Sequence, residues 1–183
     1  DEVREYRIGL RTFTVSREKA SWGREFCFMV NGVKFFAMGA DYIPDDAIYP
    51  RITDEKLRLM VKTAHDSNYN CLRVWGGGYY PKDSFYDYCD EYGIIVWQDF
   101  MFACNIYDLT PELEDDIRNE AADNIRRLRH HASLGLWCGN NEMESGWSHW
   151  PGFCDHSDAL RGDYLKIFED ILPEAVRKYD GEH

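Results

Sequence analysis

The sequence predicts an α/β fold with a parallel sheet, preceded by a short β-rich segment. Short apolar runs alternate with longer segments whose apolar residues recur every three or four positions, which is the pattern of strands and amphipathic helices. Strands joined through such helices pair in parallel by right-handed crossovers. Before the first of these units, two apolar runs flank Asn31-Gly32, the strongest short-range signal for a β-hairpin.

The first predicted elements are strands. Residues 6–15 alternate apolar and polar side chains, which indicates a strand. A polar stretch, residues 16–24, separates it from the hairpin around Asn31 and Gly32, both of which tolerate a positive φ. Another strand is predicted over residues 36–40, where the alternation of strands and helices begins.

The next two units contain clear signals for helix ends. Thr53 can cap the free N–H groups of the first helix, and residues 71–74 form the following strand. The second helix starts near Pro81 and ends at Gly93, because glycine readily adopts the left-handed conformation of a helix C-terminus. Residues 94–97 are the third strand of this series.

A long helix begins at Thr110 and Pro111, because proline at the first helical position loses no hydrogen bond. Residues 134–138 are the fourth strand, and a last helix is expected to kink at Pro173. Four strand–helix units are half of a (β/α)8, or TIM, barrel, which usually needs about 250 residues. The 183-residue chain is therefore expected to hold the N-terminal half of such a barrel.

Composition limits the class of function. A chain of 183 residues with 44% hydrophobic residues is large and apolar enough to form a core. The formal net charge of −12 disfavours nucleic acids and anionic membranes as partners. No apolar stretch approaches the roughly 20 residues that a bilayer-spanning helix needs. We therefore expect no nucleic-acid or membrane partner.

Cofactor and metal signatures are missing from the sequence. There is no GxGxxG motif and no P-loop, and the histidines do not show a recognised zinc spacing, so we expect neither a cofactor nor a metal. The six cysteines contain no CxxC pair. We interpret them as reduced thiols, several of them in apolar runs where they behave as small hydrophobes.

Polar and aromatic residues stand directly after each predicted strand of the parallel series. The carboxyl ends of parallel strands meet on one face, which is where the chemistry of such barrels is found. The joint pattern therefore predicts a site for a polar ligand. The residues at these ends are Asp41 and Tyr42, then Arg73 and Trp75, then Asp99, and finally Asn141 and Glu142.

The last strand end points to sugar chemistry. Asn141 and Glu142 place an amide and a carboxylic acid after a rigid strand, so the acid can protonate a leaving oxygen while the amide holds a hydroxyl. Arg73 is interpreted as the charge partner of a nearby carboxylate rather than as a substrate contact. Trp150, in the loop after Glu142, is favoured over Trp147 as a ring that stacks on a sugar.

The remaining two candidates have a structural alternative. Asp99 either contacts the substrate or caps the turn that follows its strand. Trp75 either contacts the substrate or packs internally. The three glycines after it favour a ligand, because a glycine backbone allows close approach.

Three motifs include these strand ends: Arg73-Val-Trp-Gly-Gly-Gly-Tyr-Tyr-Pro81, Val96-Trp-Gln-Asp-Phe100 and Trp137-Cys-Gly-Asn-Asn-Glu142. Together they resemble glycoside hydrolase family 2 and, within it, the β-mannosidases. The resemblance covers the chain from about Phe26. It implies a retaining exo-glycosidase whose catalytic barrel follows β-sandwich domains. Residues 1–24 would then be a linker strand from an upstream β-sandwich domain, and residues 25–183 the first half of the barrel.

The resemblance also implies roles for individual residues. Glu142 matches the general acid/base, which follows an asparagine matched by Asn141. Trp75 and Asp99 match residues that line the sugar-binding subsite of β-mannosidases, and Trp150 resembles the tryptophan of the strand 4 loop. The family's nucleophile glutamate lies at the end of strand 7, beyond the four units predicted here.

Several alternatives stay open at this stage. The chain could have another family 2 specificity, that of a β-galactosidase, β-glucuronidase or exo-β-glucosaminidase, although Trp75-Gly-Gly-Gly favours the β-mannosidases. It could also be a non-catalytic sugar-binding or structural half-barrel. Alone, the chain is expected to be inactive and, because of its open strand edges, to form a homo-oligomer such as a dimer or to be poorly soluble. A cytoplasmic location is favoured, and secretion or a lysosomal location stays open because the first residues read as the middle of a protein.

Overall fold

The structure, a computed structural model, describes residues 2–154, 156–181 and 183, and the statements below refer to these residues. They form an antiparallel N-terminal part and a larger part in which parallel strands alternate with helices. This is the mixed α/β architecture that the sequence predicts. No described helix combines the length and the apolar character that crossing a bilayer requires.

The N-terminal part contains two antiparallel sheets. In the larger sheet the strand order is β1-β4-β5, and β2 pairs with β3 in the smaller one. Asn31 and Gly32 join β4 to β5 with φ angles of 52° and 78°, so the predicted hairpin is confirmed. The strands are β1 (Phe13–Ser16), β2 (Lys19–Ala20), β3 (Gly23–Arg24), β4 (Cys27–Val30) and β5 (Val33–Phe35).

The strand predicted over residues 6–15 is wrong for most of its length. Strand structure begins only at Phe13, because β4 offers ladder partners to Phe13–Ser16 and residues 2–12 form neither strand nor helix. The apolar side chains that produced the alternation, such as Tyr6 and Leu10, are largely exposed. The strand predicted over residues 36–40 is likewise shifted and begins at Gly39.

The second part is a parallel sheet of four strands, in the order β6-β7-β8-β9. Consecutive strands are neighbours, as the predicted strand–helix alternation requires. Asp41 lies beside Arg73 and Arg73 beside Trp97 in the register, which places their side chains on the same face of the sheet. The strands are β6 (Gly39–Tyr42), β7 (Cys71–Val74), β8 (Ile95–Asp99) and β9 (Leu134–Cys138).

The helices begin and end where local chemistry allows it. The Thr53 and Thr110 hydroxyls accept hydrogen bonds from backbone N–H groups in the first turns of α1 and α3. Gly93 ends α2 with φ at 69°, in the left-handed region. The helices are α1 (Asp54–Asp66), α2 (Asp83–Tyr92), α3 (Pro111–Leu128), α4 (Met143–His149), α5 (Asp158–Leu165) and α6 (Leu172–Tyr179).

The last helical region differs from a simple kink at Pro173. A π-helical segment, Lys166–Ile171, joins α5 to α6, and Pro173 lies in the first turn of α6. The Leu172 N–H bonds the Ile167 carbonyl, five residues earlier. Because proline has no N–H and its ring crowds the carbonyl four residues earlier, a wider turn before it accommodates the ring within a continuous helical path.

The antiparallel sheet covers the amino-terminal part of one face of the parallel sheet. Phe28 of β4 packs against Cys71 and Trp97, and its ring centroid lies 6.0 Å from that of Trp97. Phe13 of β1 belongs to the same apolar cluster. Cys71 is the first residue of β7, so this cluster begins at the end of the sheet opposite to the predicted site, and it reaches the middle of the sheet at Trp97.

A buried polar pair joins α2 to β8. The Tyr86 hydroxyl donates a 2.6 Å hydrogen bond to Gln98 Oε1, and Gln98 Nε2 donates to the Asp99 carbonyl at 2.8 Å. Tyr86 and Gln98 are both fully buried. The pair therefore satisfies its polar atoms internally and holds the backbone at the end of β8.

Replacing Tyr86 with phenylalanine removes the hydrogen-bond donor to Gln98 and leaves the buried Gln98 Oε1 without that partner. We expect Tyr86→Phe to lower the free energy of unfolding by about 1–3 kcal/mol, measured by urea denaturation. Tyr88→Phe, on the same helix but half-buried, is the matched control and should change it by less than about 0.5 kcal/mol. Equal effects of the two substitutions would contradict the role given to this pair.

A second polar cluster lies at the amino-terminal end of β9. Asp90 accepts hydrogen bonds from the Ser133 N–H at 2.7 Å, and its other oxygen lies 2.8 Å from His131 Nδ1. Asp87, Asp90 and His131 offer atoms within 4.8 Å of one another that could bind a metal ion, but His131 Nδ1 is already bonded to Asp90. Burial alone would raise the pKa of Asp90, but the hydrogen bonds from His131 and Ser133 outweigh burial and lower it.

A lowered carboxyl pKa in the folded state stabilises the fold above the unfolded-state pKa, and this stabilisation is lost as pH falls through the folded-state value. We expect Asp90→Asn to cost about 1–3 kcal/mol of unfolding free energy near pH 7. The difference between the variant and the parent chain should shrink below about pH 4. Denaturation series from pH 7 to pH 3 measure it, and a difference that is constant over this range would count against the interpretation.

Candidate active site

Arg73 connects the carboxyl ends of the parallel strands. From β7, its Nε and Nη2 atoms donate to the two oxygens of Asp99 at 3.1 and 2.7 Å. Nη2 also donates to Asn141 Oδ1, after β9, at 2.8 Å, and Nη1 lies 3.5 Å from an oxygen of Asp41 on β6. The predicted charge partnership of Arg73 is therefore present in the structure, and this one guanidinium joins groups from all four strands.

Asp99 is buried with its hydrogen-bonding capacity used internally. Besides Arg73, its Oδ1 accepts from Trp97 Nε1 and its Oδ2 accepts from the Gly76 N–H, each at 3.1 Å. The side chain is 0% exposed. Burial raises the pKa of this carboxyl, against the opposing effects of Arg73 and the Gly76 N–H. In this structure Asp99 holds the neighbouring groups in place rather than presenting an oxygen at the surface.

The glycines after Trp75 allow close packing around Asp99. A Cβ atom at Gly76 would lie 2.6 Å from the Phe100 carbonyl oxygen, and a Cβ atom at Gly77 would lie 2.0 Å from the Trp75 ring. Trp75 itself is half-buried, and its backbone N–H donates to the Tyr42 carbonyl at 3.2 Å. The glycine run therefore lets the Trp75 ring fold over the backbone and brings the Gly76 N–H to Asp99.

Asn141 and Glu142 lie next to each other but differ in exposure. Asn141 is buried, whereas Glu142 is exposed and has a φ of 57°, the left-handed region. The Glu142 carbonyl accepts the Gly146 N–H at 2.8 Å, so Glu142 forms the start of α4. This backbone places its exposed carboxyl at the edge of the sheet.

The predicted stacking residue, Trp150, lies at the end of α4. Its ring packs edge-on against Phe153, with the centroids 5.1 Å apart. Trp147 makes a similar contact with His156. A sugar contact for Trp150 stays a prediction.

Sequence reasoning missed two residues of this region. Trp97 lies two positions before Asp99, on the same face of β8, so the two-residue period of a strand could have identified it. Cys104 has an exposed thiol 3.7 Å from Glu142 Oε2 and accepts a 3.3 Å hydrogen bond from Asn141 Nδ2. No sequence signal pointed to Cys104, because only the folded loop after β8 brings it there.

Replacing Asp99 with asparagine tests the central ion pair. The amide leaves the partly buried Arg73 charge without its main partner. Its NH2 group would also face the N–H donors of Arg73, Trp97 and Gly76. We therefore expect Asp99→Asn to lower the free energy of unfolding by about 3–5 kcal/mol. Asp41→Asn is the matched control, because Asp41 is exposed and 3.5 Å from Arg73, and it should cost less than about 1 kcal/mol. Calorimetric or urea unfolding compares the two, and similar losses would refute the central role of Asp99.

Comparisons with known proteins agree on one group of enzymes, although no family model matches the chain. Beta-mannosidase B of Aspergillus fumigatus is 41% identical over 180 residues, which are 94% of this chain and 21% of that protein. The beta-mannosidase of Capra hircus is 46% identical over 155 residues, covering 85% of this chain and 17% of that protein. The chain thus spans about a fifth of the length of these relatives.

Solved structures show the same relationship. The crystal structure of beta-D-mannosidase from Dictyoglomus thermophilum matches 96% of this chain and 21% of its own, with a TM-score of 0.87 and 39% identity. A beta-glucuronidase from Parabacteroides merdae matches 97% of this chain with a TM-score of 0.76 at 21% identity, which shows a shared fold alone. By sequence and by structure, this chain is a β-mannosidase-like domain of glycoside hydrolase family 2.

Proposed function

We propose that this chain forms the first half of the catalytic (β/α)8 barrel of a retaining exo-glycosidase that hydrolyses terminal β-D-mannose residues. Glu142 is its general acid/base. The observation that carries the proposal is the exposed Glu142 carboxyl beside Asn141, at the end of the parallel sheet where Arg73 gathers the strand ends. The similarity to β-mannosidases over nearly the whole chain supports the same assignment.

The half-barrel proposal rests on the parallel sheet. Four parallel strands follow one another in chain order, as in a (β/α)8 barrel, and the edge strand β6 has exposed residues at Gly39, Ala40 and Asp41. Residues 25–183 would form this half-barrel and residues 1–24 a linker strand from a preceding domain. In the structure β1, from the proposed linker, pairs with β4, which anchors it to the rest of the chain.

A retaining glycosidase needs two carboxyl groups about 5–5.5 Å apart. Here Glu142 would protonate the leaving oxygen while a second carboxylate attacks the anomeric carbon, and Glu142 would then take a proton from the water that releases the sugar. The nucleophile would come from a part of the barrel outside these residues. Glu144 lies in α4 and Glu169 in the π-helical segment, so neither follows a strand.

Asn141 would bind the 2-hydroxyl of the sugar, a contact that strengthens as positive charge develops at the anomeric centre. Its Oδ1 is held by Arg73 and one Nδ2 hydrogen is directed to Cys104, so a second N–H remains for a ligand. Trp75 and Trp150 would line the sugar subsite. Asp99 would contribute to that subsite by holding Arg73 and the Trp75–Gly76 backbone in place.

Another family 2 specificity is the main alternative. The fold is shared with β-glucuronidases, but at 21% identity that likeness concerns the fold alone. The Trp75-Gly-Gly-Gly segment, which resembles the corresponding segment of β-mannosidases, supports the β-mannosidase assignment. Comparing aryl β-mannoside with aryl β-galactoside, β-glucuronide and β-glucosaminide in the full-length gene product distinguishes these specificities.

Glu142→Gln tests the catalytic role in the full-length gene product. Loss of the acid should lower the turnover of an unactivated β-mannoside by about 10²–10⁴-fold, because general acid catalysis contributes that much. Glu144→Gln, an exposed glutamate two residues further on, is the matched control and should retain activity. Retained turnover in Glu142→Gln would refute the assignment.

The isolated 183-residue chain provides a second arm of this experiment. It should not hydrolyse an aryl β-mannoside, because the proposed nucleophile lies outside it. Turnover by the isolated chain that Glu142→Gln abolishes would place a nucleophile within these residues and overturn the half-barrel proposal.

A further inference from the structure

The loop after β8 continues the strand pairing up to Glu142. The Phe100 N–H bonds the Cys138 carbonyl at 2.8 Å, the Asn141 N–H bonds the Phe102 carbonyl at 2.9 Å, and the Cys104 N–H bonds the Asn141 carbonyl at 3.1 Å. These bonds fix the backbone of Cys104 against that of Asn141, the residue directly before Glu142.

The side chains in this loop form a chain of hydrogen bonds. Arg73 donates to Asn141 Oδ1, and Asn141 Nδ2 donates to Cys104 Sγ at 3.3 Å. The thiol in turn lies 3.7 Å from Glu142 Oε2, within the range of a hydrogen bond from sulfur. Because a thiol can both accept and donate, Cys104 connects the buried Asp99–Arg73 pair to the exposed carboxyl.

The backbone at both ends of the thiol–carboxylate contact is unusual. Cys104 has a φ of 50° and Glu142 a φ of 57°, so both adopt the left-handed region that residues with side chains rarely occupy. Such conformations cost of the order of 1–3 kcal/mol each and persist where surrounding contacts impose them, typically near functional sites. The two residues therefore meet because the fold holds both of them in strained conformations.

We propose that Cys104 is a positioning residue for the general acid/base, whose thiol orients the Glu142 carboxyl toward the leaving oxygen. This inference rests on the proposed function of Glu142. Core packing does not explain the thiol, because the loop packs into the core through Phe100 and Phe102, whereas Cys104 is exposed.

A misplaced acid affects substrates unequally. Cleavage of an unactivated alkyl or disaccharide β-mannoside needs protonation of the leaving oxygen, whereas a 2,4-dinitrophenyl leaving group departs without it. The ratio of the two kcat/KM values therefore reports how well the acid is placed, and a general loss of folding lowers both values together.

Cys104→Ala should lower kcat/KM for the unactivated β-mannoside by about tenfold in the full-length gene product, since small misplacements of catalytic groups have effects of that size. For the 2,4-dinitrophenyl β-mannoside it should stay within about twofold. Cys104→Ser, which keeps a donor and an acceptor, should restore most of the loss. Cys154→Ala, at a half-buried cysteine after α4, is the control and should leave both values unchanged.

A double variant adds an independent readout. In the Glu142→Gln background, Cys104→Ala should cause no further loss with the unactivated substrate, because residues that act together are non-additive. Equal losses with both substrates, full additivity or no loss at all would overturn the role of Cys104 while leaving the proposed function intact. A parent protein that is inactive on every β-mannoside would instead overturn the proposed function, and this inference with it.

Discussion

The ion pair between Arg73 and Asp99 is the constraint on which the site depends. Asp99 is fully buried, and a buried charge is tolerated only when it is paired and hydrogen-bonded. Two oxygens receive four hydrogen bonds from Arg73, Trp97 and Gly76, so the geometry of the carboxylate is determined from several directions. With its guanidinium fixed by Asp99, Arg73 directs its remaining N–H groups to Asn141 and Asp41. Arg73 therefore joins the strand ends into one unit.

The support continues beneath and beside this pair. Tyr86 and Gln98 hold the backbone carbonyl of Asp99 through hydrogen bonds. The glycines after Trp75 leave room for the Trp75 ring and let the Gly76 N–H approach the Asp99 carboxylate. The site is therefore rigid on the side of β7 and β8. It is exposed at its margin, where Asp41, Cys104 and Glu142 lie.

The two ends of the parallel sheet serve different purposes. At the amino-terminal end, the antiparallel sheet packs its aromatic residues onto an apolar cluster with Cys71 and Ile95 and contributes apolar burial. At the carboxyl end, polar groups collect and hydrogen-bond to one another. This division follows from parallel pairing. All four strands point the same way, so their amino-terminal ends lie together at one edge of the sheet and their carboxyl ends at the other.

Local sequence determined the elements whose causes are local. The turn at Asn31-Gly32, the caps at Thr53 and Thr110, and the end of α2 at Gly93 all follow from the chemistry of one or two residues. The position of Arg73 at a strand end predicted a carboxylate partner, but that partner, Asp99, lies 26 positions away and is brought to it by the tertiary structure. Tertiary structure decided where strands form: residues 6–12 alternate but have no strand partner, and strand structure begins only at Phe13. It also gave Asp99 an internal role and brought Cys104 to Glu142, because hydrogen bonds between residues 26 to 38 positions apart form only once the strands lie side by side.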